Sequence, residues 1–264
     1  MNLKLVGKTA LVTGSTAGIG LAIAESLVAE GANLVLNGRT RERVEGAVQT
    51  VKAGIDNARV SGVFADLSTS EGVQKVIDGI PEVDILINNI GTFGIKPFEE
   101  ITDDDWLEIF QTNVMSGIRL SRHYLPKMKA KNWGRIIFIS SESGVNIPVE
   151  MIHYGVTKSA QLAVARGMAE TTVGTNVTVN SILPGPTASE GASNFLAEMA
   201  KENNVTRDEA EKQLFQTARP SSLIKRFSDP KEIGDFVAFV CSPLASSING
   251  AALRVDGGVV RSII

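Results

Sequence analysis

The feature that most limits the fold is an alternation. Short apolar runs of strand character alternate with helix-periodic stretches almost to the end of the chain. The apolar runs are Thr9 to Val12, Leu34 to Asn37, one ending at Phe64-Ala65-Asp66, Asp84 to Ile87, Arg135 to Ile139, Val177 to Leu183 and Ala251 to Val255. Such a pattern argues for βαβ units, and so for an α/β fold built on a doubly wound parallel sheet with helices on both faces.

Helix punctuation agrees. Gly31 stops the first helix. Thr102 caps another, with Asp103 to Asp105 in the first turn where the dipole favours acids, and that helix is expected to run on toward Met128. Asp229-Pro230-Lys231-Glu232 combines a capping Asp, a first-turn Pro and a Glu that reaches back. A chain of 264 residues suits one α/β domain over residues 1–264.

One stretch, about Thr187 to Ser228, breaks the alternation. It carries two helical patterns, Asn194 to Asn203 and, behind a Thr206…Glu209 box, Asp208 to Thr217. A long insertion at the carboxyl end of a strand is where a substrate lid sits, the alternative being a surface elaboration. Phe195, Leu196, Met199, Leu214 and Phe215 are expected to face the pocket or the lid's own packing, which favours a substrate with an apolar portion.

Composition narrows the classes. The chain is 43% hydrophobic and 21% charged, as expected of a soluble globular protein. Net charge is −3, aromatics are 5%, and no basic block carries interleaved aromatics, so nucleic acid is not an expected partner. No apolar run spans a bilayer and the N-terminus lacks a signal-peptide layout, so no membrane partner is expected either. The single cysteine, Cys241, excludes an internal disulfide and fits a reducing, cytoplasmic setting, with a filler role in an apolar helix. His123 and His153 lie far apart and in no metal-ligand spacing, so no metal is expected. There is no G-x-S-x-G elbow, and Gly7-Lys8-Thr9 precedes the first strand without the upstream glycine of a Walker A loop.

The chemistry-bearing positions converge. Gly14-x-x-x-Gly18-x-Gly20 lies between a strand and a helix, the context of a dinucleotide-phosphate turn. Beyond the second strand stand Gly38 and Arg39, where a site for a free ribose 2′-hydroxyl would carry an acid. An arginine suits a 2′-phosphate, the alternative being that Arg39, Arg41 and Arg43 form a solvated helix start. Gly14 to Gly20, Arg39, Asp66, Asn88 to Gly91, Ser141 and Pro184-Gly185 all follow the carboxyl ends of expected strands, the ligand edge of an open α/β sheet. Tyr154 and Lys158, four apart, share one helix face. A tyrosine has a pKa of about 10, and a cation one turn away pulls it down. The alternative is a packed ring beside a solvated amine.

Taken together these residues resemble the short-chain dehydrogenase/reductase family over nearly the whole chain. The resemblance implies a single-domain Rossmann-type fold. It identifies Thr13-Gly14-Ser15-Thr16-Ala17-Gly18-Ile19-Gly20 as the glycine motif, with Gly14, Ser15, Thr16, Gly18, Ile19 and Gly20 against the cofactor. Asp66, with Leu67 beside it, matches the adenine-contacting acid. Asn88-Asn89-Ile90-Gly91 stands for Asn-Asn-Ala-Gly, with Asn88 and Gly91 as contacts and Ile90 as a departure. Asn113 matches the active-site asparagine, which the family uses to hold a water. Ser141, thirteen residues before Tyr154, matches the substrate-orienting serine, though Ser140 and Ser143 stand close by. Tyr154 and Lys158 match Tyr-x-x-x-Lys, contacting both cofactor and substrate oxygen. Pro184-Gly185 matches the nicotinamide motif, with Thr187 or Ser189 supplying the hydroxyl beyond it.

The implied activity is NADP(H)-dependent interconversion of a carbonyl and a secondary alcohol, with NADP(H) preferred to NAD(H) through Arg39 and Tyr154 as acid and base. The implied assembly is a homotetramer through the Asn113 and Tyr154 helices, to which Leu120, Leu162 and Val164 would contribute. A rival reading is a non-catalytic NADP-binding regulatory protein on the same fold, against which the intact Ser141, Tyr154 and Lys158 argue. A narrower reading is 3-oxoacyl-carrier-protein reduction. Members of that kind carry an arginine where this chain has Thr175-Asn176, while Lys127, Lys129 and Lys131 offer charge elsewhere. His153 either lines the pocket or packs in the core.

Overall fold

The computed structural model describes residues 2–55 and 58–263. Seven strands form one parallel sheet among these residues: β1 (Thr9–Val12), β2 (Asn33–Gly38), β3 (Val60–Phe64), β4 (Ile85–Asn88), β5 (Gly134–Ile139), β6 (Val177–Pro184) and β7 (Ala252–Val255). Their order is β3-β2-β1-β4-β5-β6-β7. The order reverses between β1 and β4, which opens a crevice at the carboxyl ends of those strands.

Strand side chains alternate between two cores. Ala10 and Val12 of β1, Ile85 and Ile87 of β4, and Ile137 and Ile139 of β5 enter one. Leu11, Leu86, Ile136 and Phe138 enter the other. Helices α1 (Gly18–Ala29), α2 (Arg41–Gly54) and α9 (Pro230–Cys241) close the first core through Ile23, Leu27, Val51 and Val237. Helices α3 (Ser70–Gly79), α5 (Ser116–Ala130) and α6 (Ile152–Glu170) close the second through Val73, Leu120, Met128 and Ala165. A sheet covered on both faces buries nearly every position, and all six residues of β5 are buried, Arg135 included, its guanidinium donating to the carbonyls of Gly134, Asn176 and Ser242. Cys241 is unpaired and buried in the first core. None of the described helices is long and apolar enough to cross a membrane.

Three local expectations change. The third strand stops at Phe64, because the Asp66 carboxylate accepts from the Ser68 N–H and hydroxyl and turns the chain. The helix capped by Thr102 is interrupted: α4 (Asp103–Phe110) passes into a π turn, Gln111–Met115, before α5. Such turns occur mainly at functional sites. Leu120 is fully buried within the single chain, so it is not available to a neighbouring subunit, while Val164 packs on the same core only in part.

The stretch after β6 holds α7 (Glu190–Glu202) and α8 (Arg207–Thr217). Leu196, Ala200 and Ala210 form a small core there with Met199, Val205 and Phe227, separate from both sheet cores. Its two ends meet in a parallel bridge between Thr187 and Ser228.

Candidate active site

The crevice begins at the glycine turn. Gly14 and Gly18 take φ of +58° and +56°, in the left-handed region that favours glycine. A Cβ on Gly20 would lie 2.4 Å from the Gly14 carbonyl oxygen and 2.5 Å from Asn89 Nδ2, so only glycine fits. Asn89 staples β4 to this turn by donating from Nδ2 to the carbonyls of Thr13 and Gly14. Helix α1 starts at Ala17 with no side-chain cap, which leaves its first N–H groups and the positive end of its dipole open to an anion. The Ser15 hydroxyl, by contrast, is buried and donates to the Val12 carbonyl.

Beside the turn lies the end of β2. A Cβ on Gly38 would come within 2.5 Å of Thr16 Cγ2, so Gly38 lets Thr16 close over it. Arg41 stacks on Phe64 and pairs with Glu45, and Arg43 pairs with Glu190 at 2.6 Å. Arg39 is exposed and has no ion pair among the described residues. Asp66 keeps one carboxylate oxygen without a hydrogen bond at this edge. Leu67 is fully buried in the second core and offers only its main chain. The Asn88 side chain also turns inward, donating to Ser121 Oγ at 3.1 Å.

At the other side of the crevice β5 delivers Ser141 and α6 delivers Tyr154 and Lys158. Lys158 is 4% exposed, and its Nζ donates to the Ile139 carbonyl at 3.0 Å and to Gln161 Oε1 at 3.3 Å. Burial pushes its pKa down to about 8. The amine lies 5.5 Å from the Tyr154 ring centroid. The tyrosine therefore does not behave as the Tyr-x-x-x-Lys spacing alone suggests. Burial pushes the Tyr154 phenol up to about 12; the Ser141 hydroxyl and the Arg219 charge act the other way, and the Glu142 charge raises it. Without a ligand, Tyr154 is a protonated phenol, the form that donates to a carbonyl oxygen.

Asn113 sits on the π turn and bonds both ways to the Thr92 main chain, accepting at 2.8 Å and donating at 2.9 Å. Its carbonyl accepts from Gln161 Nε2 at 2.6 Å. The Gln161 amide thus joins Lys158 to the Asn113 main chain. Gly91 lies in the same corner, 3.4 Å from Lys158 Nζ through its virtual Cβ.

Sequence reasoning missed one pair of residues. Ser141 Oγ donates to Glu142 Oε2 at 2.6 Å, and Ser143 Oγ donates to the same oxygen at 2.6 Å. Glu142 Oε1 accepts from Arg219 Nε at 2.8 Å, with side chains 4% and 13% exposed. A buried carboxylate is retained only when paired and hydrogen-bonded, and here every link is present. Arg219 comes from just beyond α8, far along the chain from Glu142, so no local pattern joined them. Ser140 is excluded as the orienting serine, since its hydroxyl donates to the Lys158 carbonyl.

These groups open on a cleft of about 270 Å³ walled by Phe93, Tyr154, Phe195, Leu214 and Arg219 among others. Pro184, Gly185, Thr187 and Ser189 line it too. Thr187 Oγ1 donates to the Gly185 carbonyl, and Ser189 caps α7. Of the insertion's apolar residues, Phe195 and Leu214 reach the cleft, while Leu196 and Met199 pack within the insertion and Phe215 lies edge-on to Phe227. A larger hollow, about 710 Å³, lies among α1, α2 and α9 and contains none of the convergent groups. His153 packs edge-on against Trp106 and does not line the cleft. His123 Nε2 meets the Pro81 carbonyl at 3.0 Å. Lys127 donates to Pro81 O and Lys131 pairs with Asp84, at the amino ends of the strands and away from the cleft.

Comparison with known proteins agrees with this geometry. Residues 8–200 match the family model described as short chain dehydrogenase. The chain is 48% identical over 263 residues to the uncharacterized oxidoreductase YvaG of Bacillus subtilis (strain 168), covering all of both chains. It is 32% identical over 263 residues to the 3-oxoacyl-[acyl-carrier-protein] reductase FabG of Aquifex aeolicus (strain VF5), covering 98% of this chain and 100% of that one. Among solved structures it resembles L-sorbose reductase from Gluconobacter frateurii, complexed with NADPH and L-sorbose, with a TM-score of 0.93, 33% identity and full coverage of both chains. An intact glycine turn, a Ser-Tyr-Lys set at one sheet edge and full-length likeness to such enzymes give one conclusion: the chain belongs to the short-chain dehydrogenase/reductase family of oxidoreductases, which act on CH–OH and C=O groups.

Proposed function

We propose that this protein is an NADP(H)-dependent oxidoreductase that interconverts a carbonyl and a secondary alcohol. The observation that carries the reading is the convergence of Ser141, Tyr154 and Lys158 across the crevice from the uncapped start of α1. The cradle at Gly14, Gly18 and Gly20 suits a pyrophosphate, since a side chain at Gly20 has no room and the helix N–H groups are open. When bound, the nicotinamide supplies or accepts the hydride.

The protein's own part is proton transfer and orientation. Tyr154 holds the proton that a reduced carbonyl oxygen takes up. Ser141 fixes where that oxygen sits. Lys158, held between Ile139 and Gln161 with its amine 5.5 Å from the Tyr154 ring, places a positive charge beside the phenol and favours its loss of the proton. Preplaced dipoles around the developing charge supply the main rate enhancement. Support for NADP(H) is the free Arg39 with no acid at Gly38, together with the NADPH named for L-sorbose reductase.

The 187–228 insertion is the substrate lid, hinged at the Thr187–Ser228 bridge. Self-association would draw on Leu107 and Phe110 of α4 and Val156 of α6, which are exposed apolar side chains on adjoining helices. A cytoplasmic setting fits the single unpaired Cys241. Carrier-protein docking through Lys127 and Lys131 is disfavoured by their place at the opposite strand edge.

The test is NADPH consumption against a panel of ketones and aldehydes, with Tyr154→Phe beside the parent protein. Tyr154→Phe removes only the phenolic oxygen, so turnover should be lost while NADPH fluorescence titration still reports binding. Parent-level turnover in the variant would defeat the mechanism. NADPH binding without turnover of any carbonyl by the parent would favour a regulatory role instead.

A further inference from the structure

The cleft that Tyr154 lines also carries polar groups whose hydrogen-bonding capacity is only partly used. Arg219 spends Nε on Glu142 and one Nη1 proton on the Ala218 carbonyl, while its Nη2 has no hydrogen bond among the described residues. Glu150 lies beside it, its Oε1 at 3.7 Å from Arg219 Nη1, and its carboxylate accepts no hydrogen bond among the described residues. Both residues line the cleft. A donor and an acceptor therefore stand side by side, facing the space that a substrate would fill.

We propose that Arg219 and Glu150 recognise a hydroxyl group, and that the substrate is a neutral, hydroxyl-bearing ketone. This rests on the oxidoreductase reading above and names the substrate class of that same cleft. A hydroxyl is the common group that accepts one hydrogen bond and donates another at the same oxygen, which matches Nη2 and the Glu150 carboxylate. A carboxylate matches poorly. It can only accept, and the one guanidinium it would meet is already neutralised by Glu142 and flanked by Glu150. The two acids and one arginine sum to one negative charge, which repels an anion in a partly desolvated wall. An ammonium suits that net charge, but it leaves the Arg219 donor without an acceptor. Phe93, Phe195 and Leu214, which also line the cleft, take the carbon skeleton.

Four ketones on one skeleton separate these cases: acetophenone, α-hydroxyacetophenone, phenylglyoxylate and α-aminoacetophenone, each reduced with NADPH. Hydrogen bonds to charged groups make kcat/KM for the hydroxyketone on the order of a hundredfold above the other three. Glu150→Ala, at a half-exposed position, should cut that preference to about tenfold or less. Arg219→Lys keeps the charge opposite Glu142 but removes the second donor, and should cut it similarly with KM for NADPH unchanged. Thermal melting of both variants checks that they are folded. Equal kcat/KM across the series, a preference for the oxo acid or the amino ketone, or a hydroxyl preference that neither variant moves would each overturn the assignment. Failure to reduce any of the four while other carbonyls are turned over would also overturn it. Failure to reduce any carbonyl at all would overturn the parent reading.

Discussion

Replacing Lys158 by methionine should stabilise the fold at neutral pH while abolishing activity. Lys158 is 4% exposed and has no carboxylate partner among the described residues, only the Ile139 carbonyl and Gln161 Oε1. Its fall from the ordinary 10.5 to about 8 is caused by burial. At roughly 1.4 kcal/mol per pKa unit, the buried charge costs about 3 kcal/mol of stability at pH 7. Methionine removes that cost. It also strands two acceptors, each worth about 1 kcal/mol. The net gain is on the order of 1 kcal/mol, or about 2–4 °C in Tm for a chain of this size.

The pH dependence has a definite sign. A lysine with a depressed folded pKa lends full stability above its unfolded value and loses it as pH falls through the folded one. The penalty is thus complete below about 8 and gone above 10.5. The variant should be the more stable protein at pH 7, the two stabilities should cross at roughly pH 9, and the parent should lead at pH 10. Urea unfolding at pH 7, 8, 9 and 10 measures this. A variant less stable at pH 7, or a difference that does not change with pH, would show that the buried amine is not the source of strain.

Two further outcomes follow from the cofactor and lid geometry. Arg39→Ala should lower kcat/KM for NADPH by about tenfold to a hundredfold and leave NADH nearly unchanged, since one charge-assisted contact to a phosphate contributes roughly 1.5–3 kcal/mol; equal losses with both cofactors would place Arg39 outside the site. Amides of α7 and α8 should exchange faster than those of the sheet in the free protein and slow on adding NADPH with a ketone, because their small core is separate from the sheet cores; protection equal to that of β5 in the free protein would remove the lid.

The sequence carried the sheet because short apolar runs and helix caps are local signals. Thr206 and Asp229 form the reciprocal boxes that their spacing implied, and the Thr102 cap closes into one with Asp105. The glycine turn and the Tyr154–Lys158 register were legible for the same reason. What was not legible depends on contacts distant in sequence. Glu142 looks like any exposed loop acid until Arg219 arrives from the end of α8. Gly38 looks like an open slot for an acid until Thr16 closes over it, which is why Gly38→Asp would not convert the cofactor preference cleanly. The Tyr154 pKa was expected to fall because spacing reports direction but not burial; the amine is spent on Ile139 and Gln161, and desolvation dominates both groups.

These exceptions are not scattered. The π turn at Gln111–Met115, the buried Lys158, the buried Glu142–Arg219 pair and the inward Asn88 with an unbonded Oδ1 all lie at the carboxyl edge of β4 and β5. Deeper in the same strands Ile85, Ile87 and Ile137 alternate with Leu86, Ile136 and Phe138 into two apolar cores, and the buried Arg135 at the amino end of β5 is a further exception. A sequence shaped only for stability would fill this edge with apolar residues, as it does one layer deeper. The edge holds instead a buried cation with no counter-ion among the described residues and a serine whose hydroxyl donates to Glu142. To hold a carbonyl oxygen, Ser141 must turn its proton from Glu142 to the cleft, on the side where its hydroxyl also acts on Tyr154. In the proposed reaction Tyr154, which burial holds as a neutral phenol, is the group that protonates that oxygen.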